Sequence, residues 1–147
     1  MSPNDYGRSL ICRSPSGGKT TTMPQFVILH HTLPRGFQRP SHWDLMFEWG
    51  DALRTWAIEQ TPDSAESQTA LALPPHRLAY LTYEGPVSGN RGYVARWDEG
   101  HYTVEVADDQ RLICAVQGQR LRGRIELIRQ SESLDTWLYQ FFRNRSA

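Results

Sequence analysis

The sequence predicts a mostly β protein, a compact β-barrel with a C-terminal helix. Three observations carry this expectation. Apolar and polar residues alternate with a period of two along several short runs. Glycine-containing turns fall between those runs at short intervals. Only the last segment switches to helical spacing.

Residues 1–24 read as a flexible tail, rich in Ser, Gly, Pro and Thr and without apolar periodicity. Within it, Gly18-Lys19-Thr20 has the ending of a phosphate-binding loop, but that pattern needs a glycine where Arg13 stands. The barrel is expected over residues 25–130. Phe26–His31 is an apolar strand. In the next strand Trp43, Leu45, Phe47 and Trp49 share one face, while His42, Asp44, Met46 and Glu48 share the other. The first face belongs in the core, and the second faces a cavity or solvent. Gly50-Asp51 suits a two-residue hairpin into Leu53–Ile58.

Thr61–Thr69 is polar and reads as a loop or short helix. Leu71–Leu73 leads into Pro74-Pro75-His76, and glycines at 85, 89 and 92 punctuate a turn-rich connection. Strands follow at Tyr93–Trp97, Tyr102–Val106, Arg111–Val116 and Leu121–Arg129, with turns at Asp98-Glu99-Gly100 and Gly118. Six to eight such strands close into a barrel or a strongly curved sheet. Over residues 131–147, Ser133 can cap an amphipathic helix with Leu134, Trp137, Leu138, Phe141 and Phe142 on one face. Arg143 and Arg145 would suit its C-terminal dipole. Its expected job is to lid one open end of the barrel.

The 147 residues suffice for one domain with its own core. Formal net charge is zero, yet Lys19 is the only lysine and every other basic residue is arginine. Arginine forks match phosphate oxygens two at a time, although an arginine-rich codon bias gives the same composition. Cys12 and Cys114 stand far apart, which argues for a reducing compartment and against a disulfide framework. Neither a membrane-length apolar run nor a signal-peptide core is visible, so a cytoplasmic protein without membrane contact is expected.

The chemical signal is a set of metal-ready side chains. His42 and Asp44, two apart in a strand, point the same way with Cα atoms roughly 6.5–7 Å apart. A histidine from a neighbouring strand would complete an N/O ligand set for a transition metal. His30 and His31 are adjacent, so only one can face that site. His101 follows a turn glycine and reads as a surface residue. His76, stiffened by Pro74-Pro75, is followed four residues later by Tyr80.

Seven segments in order carry a family likeness. They are Phe26–His31, His42-Trp43-Asp44-Leu45-Met46-Phe47-Glu48, Leu53-Arg54-Thr55-Trp56-Ala57-Ile58 and His76-Arg77-Leu78-Ala79-Tyr80. Tyr83-Glu84-Gly85, Trp97-Asp98-Glu99-Gly100 and Leu121–Arg129 follow. Together they resemble the 3′-phosphoesterase domain of bacterial DNA ligase D and its stand-alone relatives. The resemblance implies a manganese-dependent enzyme of DNA repair that removes a terminal ribonucleotide or phosphate from DNA 3′ ends. Its implied partners are such ends and a DNA-repair ligase or polymerase. It implies His31, His42 and Asp44 as metal ligands, and His76 and Tyr80 as residues engaging the scissile phosphate.

This chain also departs from the family pattern. Met46 replaces an arginine, Pro74 an acidic residue and Gln68 a basic one, and the family's N-terminal arm has no clear counterpart in Met1–Met23. The loop between His31 and His42 is longer and brings Arg35 and Arg39, the candidates to bind substrate in place of the missing cation. Two other readings fit parts of the pattern. A non-haem iron oxygenase or cupin-like barrel would use His42, Asp44 and His101, with Arg111 holding a cosubstrate. A non-catalytic nucleic-acid or interaction module would keep the fold without turnover.

Overall fold

Alternation builds nine strands in the computed structural model, which describes residues 23–37, 39–130 and 135–144. They are β1 (Gln25–Thr32), β2 (His42–Trp49), β3 (Ala52–Ile58), β4 (Gln68–His76), β5 (Gly85–Pro86), β6 (Tyr93–Ala107), β7 (Arg111–Gly118), β8 (Arg122–Arg129) and β9 (Thr136–Arg143). All pair antiparallel. The order β1-β2-β3-β4-β9-β8-β7-β6 closes because β6 also pairs with β1, so eight strands form the barrel and the two-residue β5 flanks β6. Closure leaves no free edge on these strands for another chain to template on.

The β2–β3 hairpin turns on two residues, Gly50-Asp51, and Gly50 adopts φ +69°, a region open to glycine at little cost. β6 is fifteen residues long and bulged between Val104 and Val106. Its first half pairs with β1 and its second with β7, and that handover completes the barrel. Asp98 is buried at this junction. Its carboxylate accepts backbone N–H bonds from Glu99, Gln119, Arg120 and Leu121 at 2.7–3.0 Å, fixing the β7–β8 turn. The Trp-Asp-x-Gly segment is therefore structural.

The interior is aromatic. Phe47 meets Trp56 and Tyr102 edge-on at 5.9 and 5.2 Å, and Trp56 meets Trp137 at 5.3 Å. Leu45 and Phe47 are fully buried, as their face of β2 requires, whereas Trp43 and Trp49 at the strand ends are half-buried against the same core. The opposite face of β2 is also covered. Met46 joins Val27, Leu29, Leu53 and Val94 in a second apolar cluster outside the barrel. Leu78, Tyr80 and Leu81, from a four-residue 3-10 turn at Leu78–Leu81, pack over it together with Val87.

The expected C-terminal helix is absent; the chain there is β9. Among the described residues the 3-10 turn is the only helix, and Ser133, Leu134 and Arg145 lie outside them. Trp137, Tyr139 and Phe141 point inward and are buried, while Leu138 and Phe142 are exposed. The same residues satisfy a period of four or a period of two. The gap between β4 and β8 decides, because only a strand can satisfy both edges: Gln68 pairs with Tyr139, and Leu127 with Tyr139 on the other side. The barrel is closed by this strand and not lidded by a helix. The tail expected over residues 1–24 lies almost wholly outside the described residues. Among the described residues no helix is long and apolar enough to cross a membrane.

Candidate metal centre

Register brings the candidate ligands together. His31 sits directly opposite His42, and Asp44 opposite Leu29, two residues before His31. Alternation turns His31, His42 and Asp44 to the outer face, beside the second apolar cluster. His31 Nδ1 lies 3.5 Å from Asp44 Oδ2, and His42 Nε2 lies 3.2 Å from Asp44 Oδ1. One donor atom from each residue falls within 4.8 Å of the others, and this trio could hold a metal ion. Two ligands each about 2.1 Å from one ion stand about 3.0–4.2 Å apart, so the set needs little closure.

Backbone carbonyls select the free nitrogens. The Nε2–H of His31 donates to Arg91 O at 2.8 Å, and the Nδ1–H of His42 donates to Pro40 O at 2.9 Å. Each neutral ring then aims its remaining lone pair at the Asp44 carboxylate. Such carbonyl contacts are the usual way a ligating histidine is oriented. Asp44 Oδ1 is buried and has no hydrogen-bond donor by geometry, although His42 Nε2 is within 3.2 Å. Both observations hold if acceptor faces acceptor, an arrangement that only a shared cation or an added proton makes favourable. Once protonated, the imidazoles donate to Asp44: burial pushes its carboxyl up, but hydrogen bonds and charge from His31 and His42 outweigh it and hold it at about 2. In turn the hydrogen bond with Asp44 raises His31 above its ordinary value, against the effect of burial. The donor chemistry fits a divalent transition metal.

The trio opens onto a cleft of about 240 Å³. Met46, Leu73, Val87 and Val94 give it apolar lining. His76 and Tyr80 reach it from the end of β4 and the 3-10 turn. His76 donates Nδ1–H to Pro74 O at 2.9 Å, which leaves Nε2 as the working nitrogen. Its ring meets Tyr80 at 5.7 Å, and Tyr80 meets Tyr83 edge-on at 5.8 Å. Arg39 and Arg91 also line the cleft, whereas Arg35 is exposed on the loop and does not.

The other candidates fall elsewhere. His30 turns to the opposite face and stacks on Trp43 at 4.5 Å. His101 pairs with Gln25, at the far end of β1 from His31, and Arg111 bonds Asp108, so the oxygenase constellation is not assembled. Gln68 exchanges hydrogen bonds with the backbone of Gln60, closing the loop before β4. Arg91 was not anticipated from sequence. The glycines around it signalled a turn, but a backbone carbonyl leaves no mark of its own in the residue types.

The sequence model of the DNA Ligase D 3′-phosphoesterase domain matches residues 30–129. The chain belongs to this family. A search of curated proteins gave no significant match. The matched span holds the trio that could bind a metal, His76, Tyr80 and both cleft arginines. It ends before β9, the strand that completes the barrel. Met46 is 1% exposed, its side chain packed into the outer cluster.

Proposed function

We propose that this protein is a manganese-dependent phosphoesterase that removes a terminal ribonucleotide or phosphate from DNA 3′ ends during repair in the cytoplasm. One observation carries the reading: two histidines with carbonyl-fixed tautomers aim at one buried carboxylate, at the edge of a cleft that also holds His76 and Tyr80. His31, His42 and Asp44 would hold the ion. Bound there, a divalent ion neutralises phosphoryl oxygens and activates water.

The remaining work falls to the chain. Arg39 binds a phosphate oxygen, and Arg35, outside the cleft, meets the DNA backbone. Tyr80 offers its hydroxyl to orient the substrate. His76, protonated at Nε2, gives that proton to the oxygen that leaves as water adds to phosphorus and the P–O bond breaks. The product is a 3′-hydroxyl end that a DNA-repair ligase or polymerase can use.

The test is incubation of oligonucleotides ending in a 3′-ribonucleotide or a 3′-phosphate, with manganese or with chelator. Metal-dependent shortening and phosphate release are expected. Tight binding of such ends without product would favour a non-catalytic module, the reading to which Met46 in place of an arginine lends support.

A further inference from the structure

The loop between β5 and β6 brings an arginine, Arg91, to the lining of the cleft. Asn90 and Gly89 both adopt left-handed backbone (φ 55° and +73°), and Gly92 follows at φ +88°. A Cβ on Gly92 would come within 2.0 Å of Thr32 O, so the loop can lie against the end of β1 only as glycine. Val87 N–H donates to Gly92 O at 2.8 Å and Arg91 N–H to Val87 O at 3.4 Å, closing the turn. Non-glycine residues in this region persist only where their surroundings impose it, and such turns concentrate at ligand clamps.

What the turn presents is Arg91, and it does so twice. Its carbonyl accepts His31 Nε2–H. Its guanidinium donates from Nε to Ser88 O at 2.8 Å and from Nη2 to Ser88 Oγ at 3.3 Å. Those bonds leave donors on Nη1 and Nη2 for a ligand, on a side chain already held and belonging to a residue that lines the cleft. Fixing a side chain before binding lowers the entropy lost on binding. The residue where the family pattern carries arginine, Met46, is buried among apolar side chains and has no charge to offer.

We infer that Arg91 is a second phosphate-binding residue of this cleft beside Arg39, supplying the cation missing at position 46 and favouring DNA ends that carry a 3′-phosphate. This rests on the phosphoesterase reading. It adds that one residue ties both halves of the site together, through its carbonyl to the metal ligand His31 and through its guanidinium to the substrate.

The test compares wild type, Arg91→Met, Arg91→Lys and Ser88→Ala, each titrated with manganese alone and with matched oligonucleotides ending in 3′-phosphate or 3′-hydroxyl. Arg91→Met keeps the carbonyl, so manganese affinity should stay at the wild-type value. Its preference for the phosphorylated end should fall about 10- to 100-fold, the worth of charged hydrogen bonds. Arg91→Lys should recover part of that preference, and Ser88→Ala should lose part. Undiminished preference in Arg91→Met overturns the inference and leaves the phosphoesterase reading standing. Loss of manganese affinity along with the preference also overturns it, because the loop would then act only through His31. A wild-type protein with neither preference nor turnover would sink the phosphoesterase reading itself.

Discussion

His42 Nε2 and Asp44 Oδ1 face each other at 3.2 Å with no proton assigned between them, because His42 spends its ring N–H on the carbonyl of Pro40. Two buried acceptors at this distance repel unless a cation or an added proton joins them. His31 meets the other carboxylate oxygen in the same way, with its own N–H spent on Arg91. The carbonyls of Pro40 and Arg91 thus leave both remaining ring nitrogens aimed at one carboxylate, an arrangement that could hold a cation.

His76 should separate catalysis from metal binding. His76→Ala should cut phosphate release by about 10²–10⁴-fold, the usual worth of general acid–base help, with manganese affinity unchanged. Steady-state kinetics beside calorimetric titration will read this. Equal loss of both would put His76 among the metal ligands.

Met46→Arg places a guanidinium in the cluster of Val27, Leu29, Leu53 and Val94. Overpacking a filled core costs about 1–3 kcal/mol, which for a domain of this size lowers Tm by about 3–10 °C. An unchanged Tm in thermal scans would show that the new side chain escapes to the cleft, and activity should then rise.

Deleting the chain after Gln130 should unfold the barrel, since β9 satisfies the edges of both β4 and β8. Trp137→Ala should cost about 3–5 kcal/mol, as for other large aromatics lost from a core. Circular dichroism and urea denaturation measure both. A truncated protein that keeps its β spectrum would mean the strand is dispensable.

Cys114 is buried, and burial, with Glu105 nearby, pushes its thiol up to about 12. A thiol whose pKa rises on folding adds stability below its unfolded value of about 8.5 and loses it progressively as pH climbs toward the folded one. Stability of the Cys12→Ser variant should therefore decline above about pH 8.5. At pH 8 the native thiolate fraction should fall on the order of a thousandfold below that of the unfolded chain. Rapid labelling of the folded variant by a thiol reagent would contradict the burial.

Much of this was legible in the sequence, and the failures have physical causes. β2 reads directly, because His42 and Asp44 alternate with Leu45 and Phe47 and the hairpin at Gly50-Asp51 fixes its register. The C-terminal segment does not, since Trp137, Leu138, Phe141 and Phe142 fit both periods and only the distant edges of β4 and β8 choose between them. The face of β2 that carries Met46 predicts a cavity or solvent, because nothing near β2 in sequence announces that residues 78–94 fold back over it. The place of Arg91 is hidden in the sequence for a related reason. Its carbonyl meets His31 from 60 residues away in sequence, through a loop whose left-handed turn only the fold reveals.

The central claim is that His31, His42 and Asp44 hold one ion, and manganese titration of the wild type and of Asp44→Ala tests it most directly. The wild type should bind one manganese per chain. Asp44→Ala should keep its circular dichroism spectrum and lose affinity by more than the roughly 10–100-fold typical of residues that merely orient a ligand. Retained stoichiometric binding in the folded variant would contradict the account.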